Sequence, residues 1–516
     1  MSVTTFTDVR QPAQELIDEM AADPGGLVTP SIYETAQLVA SAPWLDGHRG
    51  RVDFLLAQQH QDGTWGGPEL YRLLPTLSAV DALLSVAEAD GTRRAGRAAA
   101  SGLAALNQRF SREAELPDTI AVEFLAPLLI ERINRRLARA DGRWSAGPAG
   151  MPGRLDLVAD TRPLSQMREY LRGHSAIPEK TWHSLEALGA PAVRSSTVIP
   201  VGGAVGNSPA ATVAWLGDPP HTDAARASLD YLRQAQARHG GPVAGSTVIT
   251  YFEQAWVVSA LSGAGLRVEV PAQVTDCLRA SLQETGAPAG PGIPADSDDT
   301  GAVLHALDLA GMPESADCLW GYDTGRYFQC FPGERTPSTS TNAHVLIALA
   351  DRLGQDDPRC GQAAERVGRW LIEQQHADGH WMDKWHASPY YATICCAAAL
   401  ARLDGPWASA AVDDAVRWVL DTQRADGSWG RWTGTGEETA YAVQILNHGA
   451  PSGPEAVEAI LRGRTFLTGQ IEDDADDLPL WHDKDLYAPP RVIRAEILAA
   501  LAVTRHLAAV HDRALS

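Results

Sequence analysis

One short element occurs three times in this chain and limits the folds open to it. The element is Gln-x-x-Asp-Gly-x-Trp, and its copies span residues 59–65, 375–381 and 423–429. Each copy follows a stretch with Ala, Leu and Val at three- and four-residue spacing, so Gln falls in the last turn of a predicted helix and Asp-Gly ends that helix. We expect the Trp to start the next segment and to pack between neighbouring hairpins. The element therefore predicts a fold built from repeated helical hairpins.

The rest of the 516-residue chain fits an all-helical fold. Strand patterns are scarce, and Gly, Pro and Asp turns separate the helical stretches at intervals of roughly 40 to 55 residues in the C-terminal half. A chain of this length exceeds one ordinary hydrophobic core, which favours two or three domains. Because the first copy of the repeated element lies far from the other two, we predict two helical domains of related construction.

Composition and charge disfavour several classes of protein. The formal net charge is −21, so nonspecific binding to nucleic acid or to an anionic membrane surface is unfavourable. No run of about 18 apolar residues is present, and the N-terminus lacks the basic and apolar parts of a secretory signal. We therefore expect a soluble, cytoplasmic protein with no integral membrane association, and a homodimer is compatible with the sequence. The six cysteines form no CxxC pair, which favours buried free thiols over a zinc site.

An acidic cluster, Asp296-Ser297-Asp298-Asp299, opens a predicted helix directly after the Pro/Gly-rich segment 286–295. Asp and Ser are favoured as N-terminal caps, where the helix dipole stabilises negative charge, so capping alone could account for the cluster. The functional alternative is that burial and like-charge crowding raise the pKa of one carboxyl group, which then stays protonated and serves as a general acid. Because a helix N-terminus favours ionisation, this alternative requires burial to dominate.

The acidic cluster matches DxDD, the acid motif of the bacterial class II diterpene cyclases, and the three Gln-Trp elements match the repeats of that family. The chain is therefore similar to these cyclases, which are related to copalyl diphosphate synthases and more remotely to squalene–hopene cyclases. Further blocks resemble the family in the same order, at residues 117–124, 182–186, 208–212, 252–256, 341–346, 384–391 and 480–487.

The resemblance implies two α-barrel domains of the class II terpene cyclase fold, called β and γ, with the active site between them. The β domain would comprise residues 1–25 and 265–516, and it would carry the acid motif. The γ domain would comprise residues 26–264 and would be inserted into the β domain after its first helix. The long gap between the first and second copies of the repeated element agrees with such an insertion.

The same resemblance assigns roles to the acid motif. Asp298 would be the proton donor, and Asp296 and Asp299 would hold and tune it. Plant relatives have an Asn 46 positions after the acid, and the same count here reaches His344. A ring nitrogen of His344 can accept the Asp298 proton in a hydrogen bond, or it can become charged and lower the pKa of the acid. The alternative for His344 is an ordinary core histidine.

Protonation of an unactivated alkene produces a tertiary carbocation, which requires a strong acid and a dry pocket whose walls do not react with the cation. We expect cyclisation of geranylgeranyl diphosphate to a bicyclic labdane-type diphosphate such as copalyl diphosphate, the ent series included, with the diphosphate retained. One alternative is cyclisation of farnesyl diphosphate to drimenyl diphosphate, and another is a rearranged or hydroxylated bicyclic diterpenyl diphosphate. A noncatalytic prenyl-binding helical barrel is the alternative from a different class.

The resemblance also suggests where the prenyl diphosphate substrate binds. Aromatic faces stabilise cations, and any of these aromatic residues could instead be plain core packing, just as the basic ones could be surface groups. The candidate substrate contacts are Trp385, Tyr390, Tyr391, Trp432, Lys384, Lys484 and Arg491.

The diphosphate needs a counter-charge in so acidic a protein, so Mg²⁺ is the expected cofactor. Plant relatives carry an acidic stretch just before the block at 117–124, and the local equivalents are Glu113, Glu115 and Asp118; a solvated acidic turn is the alternative. Residues 473–477 satisfy DDxxD, the metal motif of class I terpene synthases. They are followed by Pro479 and lie near the end of the chain, which leaves no room for the helical bundle that motif requires. We expect an exposed acidic loop there.

Overall fold

The computed structural model describes residues 8–110, 115–139, 152–173, 176–217, 224–245, 249–334, 336–353, 357–449, 453–473 and 478–507. The N-terminal half contains α1 (Arg10–Ala22), α2 (Ile32–Ser41), α3 (His48–Ala57), α4 (Leu73–Asp90), α5 (Arg93–Arg109), α6 (Val122–Arg139), α7 (Arg162–Gly173), α8 (Pro209–Leu216) and α9 (Ala224–Ala237). The C-terminal half contains α10 (Thr250–Gly263), α11 (Ala272–Ser281), α12 (Ser297–Leu309), α13 (Thr339–Ala350), α14 (Pro358–Glu373), α15 (Pro389–Leu400), α16 (Pro406–Asp421), α17 (Gly436–His448), α18 (Pro454–Asp473) and α19 (Pro490–Val503).

Short elements complete the secondary structure. Segments of 3₁₀-helix span Glu69–Arg72, Glu179–Leu188, Ala190–Ala192 and Asp317–Tyr322. Within the ranges just given, the only strands are β1 (Trp481–His482) and β2 (Leu486–Tyr487), which pair antiparallel. The expectation of an all-helical protein is confirmed.

Six helices of the C-terminal half form a closed inner ring. Their order around the ring is α10, α12, α13, α15, α17 and α19, and α19 packs back on α10. Helices α11, α14, α16 and α18 lie outside, and α1 packs on α10 and α19. The inner helices are apolar nearly all round, as burial between two layers requires; in α15 every residue from 390 to 397 is buried. The result is an α-barrel.

The N-terminal half forms a second, smaller ring. Helices α2, α4 and α6, the 3₁₀ segment Glu179–Leu188 and α8 follow one another, and α8 packs back on α2. Helices α3, α5, α7 and α9 pack on the outside of this ring. In the described part of the chain, one helical stretch, Glu69–Ala89, is long and apolar enough to cross a membrane, but most of it is buried inside the protein, as in a core helix. The two-barrel architecture expected for this chain is present.

Hydrophobic packing bears on the predicted domain limits. The core of the C-terminal ring includes Leu16 of α1 and Trp256 of α10, whereas Tyr33 and Leu83 belong to a separate core. The predicted boundary between residues 264 and 265 therefore lies after a helix that closes the C-terminal ring. The boundary between the two hydrophobic cores therefore falls before α10 begins. The division into a β domain and an inserted γ domain stays a prediction.

The cysteine side chains are all free thiols, in agreement with the sequence. Four of them, Cys330, Cys360, Cys395 and Cys396, are buried. The other two, Cys277 and Cys318, are half-buried, so the expectation of burial holds only in part for them. Burial without a disulfide is the usual state of a cysteine that serves as a small apolar side chain.

The repeated elements join consecutive outer helices. In the second copy, Gln375 Nε2 donates to the carbonyl oxygens of Gly379 at 2.8 Å and Ala411 of α16 at 2.9 Å. Trp381 is fully buried, and its Nε1–H donates to the carbonyl of Leu371 at 2.7 Å. The other copies repeat these bonds, from Gln59 to Gly63 and Ala98, from Trp65 to Leu55, from Gln423 to Gly427 and Ala459, and from Trp429 to Val419. The predicted role as a structural connector is confirmed.

We expect Gln375→Ala to lower the free energy of unfolding by about 1–3 kcal/mol, because two half-buried carbonyl oxygens lose their donor. The neighbouring Gln374→Ala is the matched control, and it should change stability by less than about 0.5 kcal/mol. Urea denaturation followed by circular dichroism measures both. Equal stability of the two variants would contradict the connector role.

Candidate active site

The acidic cluster lies at the N-terminus of α12, and its carboxyl groups have different surroundings. Asp296 is the N-cap, and its Oδ1 accepts the Asp299 N–H at 2.8 Å. Asp296 and Asp299 are 5% and 6% exposed, so both carboxyl groups are buried. Burial, reinforced by the nearby charge of Asp298, raises the pKa of Asp296 to about 7. Burial also raises the pKa of Asp299 well above its usual value, and the neighbouring carboxylates add to the rise.

These observations combine both interpretations of the cluster. Asp296 does cap the helix, and the helix N-terminus does favour ionised carboxyl groups. Burial nevertheless dominates for Asp299, so the pKa of this carboxyl group is raised and its protonated form is favoured.

Asp298 pairs with His344 of α13. Asp298 Oδ1 and His344 Nδ1 are 2.7 Å apart, and the two side chains are 15% and 14% exposed. The His344 ring lies edge-on to Trp256 of α10, with the ring centroids 5.0 Å apart. Burial opposes protonation of His344, but the Asp298 carboxylate and Cys395 together raise the pKa of the imidazole well above its usual value. The structure thus brings together the acid and the histidine that stand 46 positions apart.

The three aspartates line a cavity of about 410 Å³, a volume within the usual range for ligand sites, roughly 300–1,000 Å³. The N-terminal ring contributes Ile120, Glu179, Lys180, His183 and Gly206 to the lining, so the cavity lies between the two rings. Lys180 is exposed and marks the solvent side, whereas Asp296 and Asp299 are buried. The aromatic part of the lining consists of Phe252, Phe331, Trp385, Tyr391, Trp481 and Tyr487.

Trp481 stands at the centre of this aromatic wall. Its ring centroid is 4.7 Å from that of Tyr391 and 5.2 Å from that of Phe252, both in edge-to-face contacts. Phe252 continues the wall to Trp256, at 4.4 Å, and so to the ring that contacts His344. Trp481 and Phe252 were not among the predicted contacts. The signal that could have found them is that both stand in blocks that resemble the cyclase family.

Three of the seven predicted substrate contacts lie at the cavity. Trp385 and Tyr391 line the cavity. Lys384 adjoins it, because its ammonium group pairs with Glu334 of the lining and lies 4.9 Å from the Trp385 ring centroid. Tyr390 and Trp432 do not line the cavity.

The prediction that Tyr390 and Trp432 contact the substrate is corrected, because both side chains pack away from the cavity. The Tyr390 ring lies 4.5 Å from Trp418, and the Trp432 ring lies 6.0 Å from Tyr71. Adjacent residues of a helix point about 100° apart, so Tyr391 can reach the cavity from α15 while Tyr390 points to the outer helix α16. The sequence does not show which of the two tyrosines faces the cavity.

The prediction that Lys484 and Arg491 contact the substrate is also corrected, because both lie in buried ion pairs. Lys484 is fully buried, and its Nζ donates to Glu34 Oε1 at 2.7 Å and to Glu186 Oε1 at 2.8 Å. Arg491 Nη1 donates to Glu253 Oε2 at 3.0 Å. Neither side chain is part of the cavity lining. Their charges are compensated inside the protein and serve its structure.

Among the described residues, Lys180 is the lysine or arginine that lines the cavity, and it lies in the 3₁₀ segment Glu179–Leu188. A lone lysine of this kind carries no signal of its own in the sequence, although it stands two residues before the block at 182–186. His183 of that block also lines the cavity, and its Nε2 lies 2.7 Å from Asp483 Oδ1.

The predicted metal ligands are only partly described. Among the residues with described positions, no group of three or more His, Cys, Asp or Glu side chains could hold a metal ion. Glu113 lies outside those residues, as does nearly all of the acidic stretch 473–477, and Glu115 is exposed. Asp118 is exposed two residues before Ile120 of the lining, and the charge of Lys384 acts on it. Its carboxylate suits Mg²⁺, which needs few protein ligands when phosphate oxygens complete its shell.

Similarity to known proteins extends over the whole chain. The model of the squalene–hopene cyclase C-terminal domain matches residues 334–461. The ent-copalyl diphosphate synthase of Streptomyces sp. (strain KO-3988) is 69% identical over 514 residues, which cover 100% of each chain. The labda-7,13-dienyl diphosphate synthase of Streptomyces clavuligerus is 42% identical over 506 residues, 95% of this chain and 92% of the other. Among solved structures, the ent-copalyl diphosphate synthase from Streptomyces platensis has a TM-score of 0.89 and 48% identity, covering 96% of this chain and 99% of its own.

Proposed function

The chain belongs to the bacterial class II diterpene cyclases, and from that premise we propose that it cyclises geranylgeranyl diphosphate to ent-copalyl diphosphate and retains the diphosphate. The observation that carries this proposal is the Asp298–His344 pair, 2.7 Å apart beside a cavity with an aromatic wall. The similarity over the whole chain to an ent-copalyl diphosphate synthase supports the choice of substrate and series.

In the proposed reaction the Asp298 carboxyl group donates its proton to the terminal double bond of the prenyl chain. A C–H bond forms, and electrons of the next two double bonds close two rings in turn, so that the positive charge moves along the chain. A carbon next to the final cation then loses a proton to a base such as water, the C–H electrons form a double bond, and the product is a bicyclic diphosphate whose ring system is uncharged. Asp298 and His344 share one proton: with the proton on the ring the two side chains form an ion pair, the form that the raised pKa of His344 favours, and in the reactive form the proton lies on Asp298 and its O–H is donated to the neutral ring. The Asp299 N–H, which donates to Asp296 Oδ1 at 2.8 Å, holds Asp296 in place.

The test is to incubate the purified protein with Mg²⁺ and either geranylgeranyl or farnesyl diphosphate, remove the phosphates and identify the alcohols by mass spectrometry. We expect a bicyclic C20 alcohol, and comparison with standards on a chiral column identifies the ent series. A bicyclic C15 alcohol would favour the drimenyl alternative. Only linear alcohols would contradict cyclisation and favour a noncatalytic prenyl-binding barrel. The cytoplasmic location and the homodimer stay predictions.

We also propose Mg²⁺ as a cofactor that neutralises diphosphate charge, with Asp118 among the few protein ligands. Removal of Mg²⁺ with EDTA should lower the rate at least about tenfold, and added Mg²⁺ should restore it. Asp118→Asn should raise the Mg²⁺ concentration for half-maximal rate by about tenfold, because one anionic ligand is lost. The matched control is Asp276→Asn, at an exposed aspartate of α11 that does not line the cavity. Turnover that is indifferent to EDTA would contradict the cofactor.

A further inference from the structure

Glu437 of α17 is a fully buried carboxyl group that the reaction proposed above does not use. Its Oε1 lies at the centre of three side chains. Trp481 Nε1–H donates to this oxygen at 2.7 Å, and the Tyr441 hydroxyl donates at 3.0 Å. His386 Nε2 lies 3.3 Å from the same atom. One carboxylate oxygen therefore joins a tryptophan of the cavity wall to two aromatic side chains behind it.

The hydrogen atoms on these partners can be assigned. The Ser388 N–H donates to His386 Nδ1 at 3.0 Å, so the proton of the neutral ring is on Nε2 and points at Glu437. Burial lowers the pKa of His386 to about 3, which keeps the ring neutral. An indole N–H can only donate. Glu437 Oε1 thus accepts from three donors, an arrangement that suits an ionised carboxylate.

Burial and hydrogen bonding have opposite effects on the pKa of Glu437. Burial raises its pKa to about 7, and the hydrogen bonds donated by Trp481 and Tyr441 oppose that rise. Near neutral pH the ionised form is therefore accessible even in this buried position. A carboxylate here is in hydrogen-bonding contact with the ring that lines the acid cavity.

The position of the Glu437 carboxylate affects how strongly the face of the Trp481 ring attracts a cation. A carboxylate that accepts the indole N–H increases the electron density of the ring, and its own charge lies in the plane of the ring, beyond the edge that carries Nε1. Both effects strengthen the attraction between the ring face and a cation in a water-poor cavity. Trp481 faces the cavity that the three aspartates also line.

We propose that Glu437 is a positioning residue for cyclisation: by accepting the Trp481 N–H it fixes the indole and makes the cavity face of this ring a stronger site for the carbocation. The proposal rests on the proposed function, because it requires a cationic intermediate in this cavity. It involves no covalent step and no proton transfer at Glu437.

Glu437→Gln tests the charge, because Gln keeps the size of the side chain and an oxygen for the indole N–H. Glu438→Gln is the matched control. Glu438 is the next residue and is equally buried, but it accepts from Ser388 Oγ at 2.6 Å and from the Arg431 N–H at 2.8 Å. We expect Glu437→Gln to lower kcat about tenfold with KM changed less than about twofold, and to increase incompletely cyclised and water-quenched products. Glu438→Gln should leave the product distribution unchanged.

A second measurement keeps the proposal testable if Glu437→Gln folds poorly. Fluorinated tryptophans placed only at position 481 keep the shape of the ring and weaken its attraction for cations, so kcat should fall with each added fluorine. Either a kcat that is independent of fluorination, or equal kcat and products for Glu437→Gln and Glu438→Gln, would overturn this role while wild-type cyclisation leaves the proposed function standing. Only linear alcohols from the wild-type protein would overturn the proposed function and this role together.

Discussion

Asp298→Asn should lower kcat for cyclisation by at least about 1,000-fold, because the amide that replaces the carboxyl group is no acid for an alkene. Asn has nearly the same size and can still hydrogen-bond to His344, so the fold and the cavity should persist. The measurement is the amount of bicyclic alcohol formed over long incubation, together with a thermal melt.

Asp276→Asn is the control for this experiment, because Asp276 lies on α11 with an exposed side chain. The control should cyclise at the wild-type rate, and both variants should melt within about 2 °C of the wild type. If Asp298→Asn kept more than about a tenth of the wild-type kcat, Asp298 would not be the proton donor.

Lys484→Met should lower the free energy of unfolding by about 3–5 kcal/mol, because it leaves the buried Glu34 and Glu186 without their shared cation. Lys180→Met is the informative comparison. Lys180 is exposed at the cavity, so its loss should change stability by less than about 0.5 kcal/mol. It should instead raise KM for the prenyl diphosphate about tenfold through the loss of one positive charge.

Denaturant unfolding and steady-state kinetics on the same preparations distinguish the two lysines. A stable Lys484→Met variant with a selectively raised KM would restore the assignment of Lys484 to the diphosphate. An unchanged KM for Lys180→Met would leave Asp118 and Lys384 as the charged groups to examine at the cavity.

The acid motif shows which contacts of the site can be predicted from the sequence and which cannot. Because Asp296 caps a helix through the backbone of Asp299, this contact depends on residues three positions apart and is readable from a short pattern. The contact between Asp298 and His344 joins two neighbouring helices of one ring, and the family resemblance supplied it. The aromatic wall was only partly predicted. Trp385 and Tyr391 were predicted from the sequence. Trp481 and Phe252 were not, because they join the wall only where distant segments of the chain meet.

What the sequence by itself determined was therefore local and periodic: the helices, the Gln and Trp connectors between outer helices, and the cap that begins α12. Such features depend on residues within a few turns of one another, whose spacing the chain carries directly. Only the tertiary structure decided which charges face the cavity. Lys484 and its partner Glu34 stand 450 residues apart, and the function of a charged group depends on what lies within a few ångströms of it, because burial and compensation by a neighbouring charge are properties of packing and not of sequence spacing.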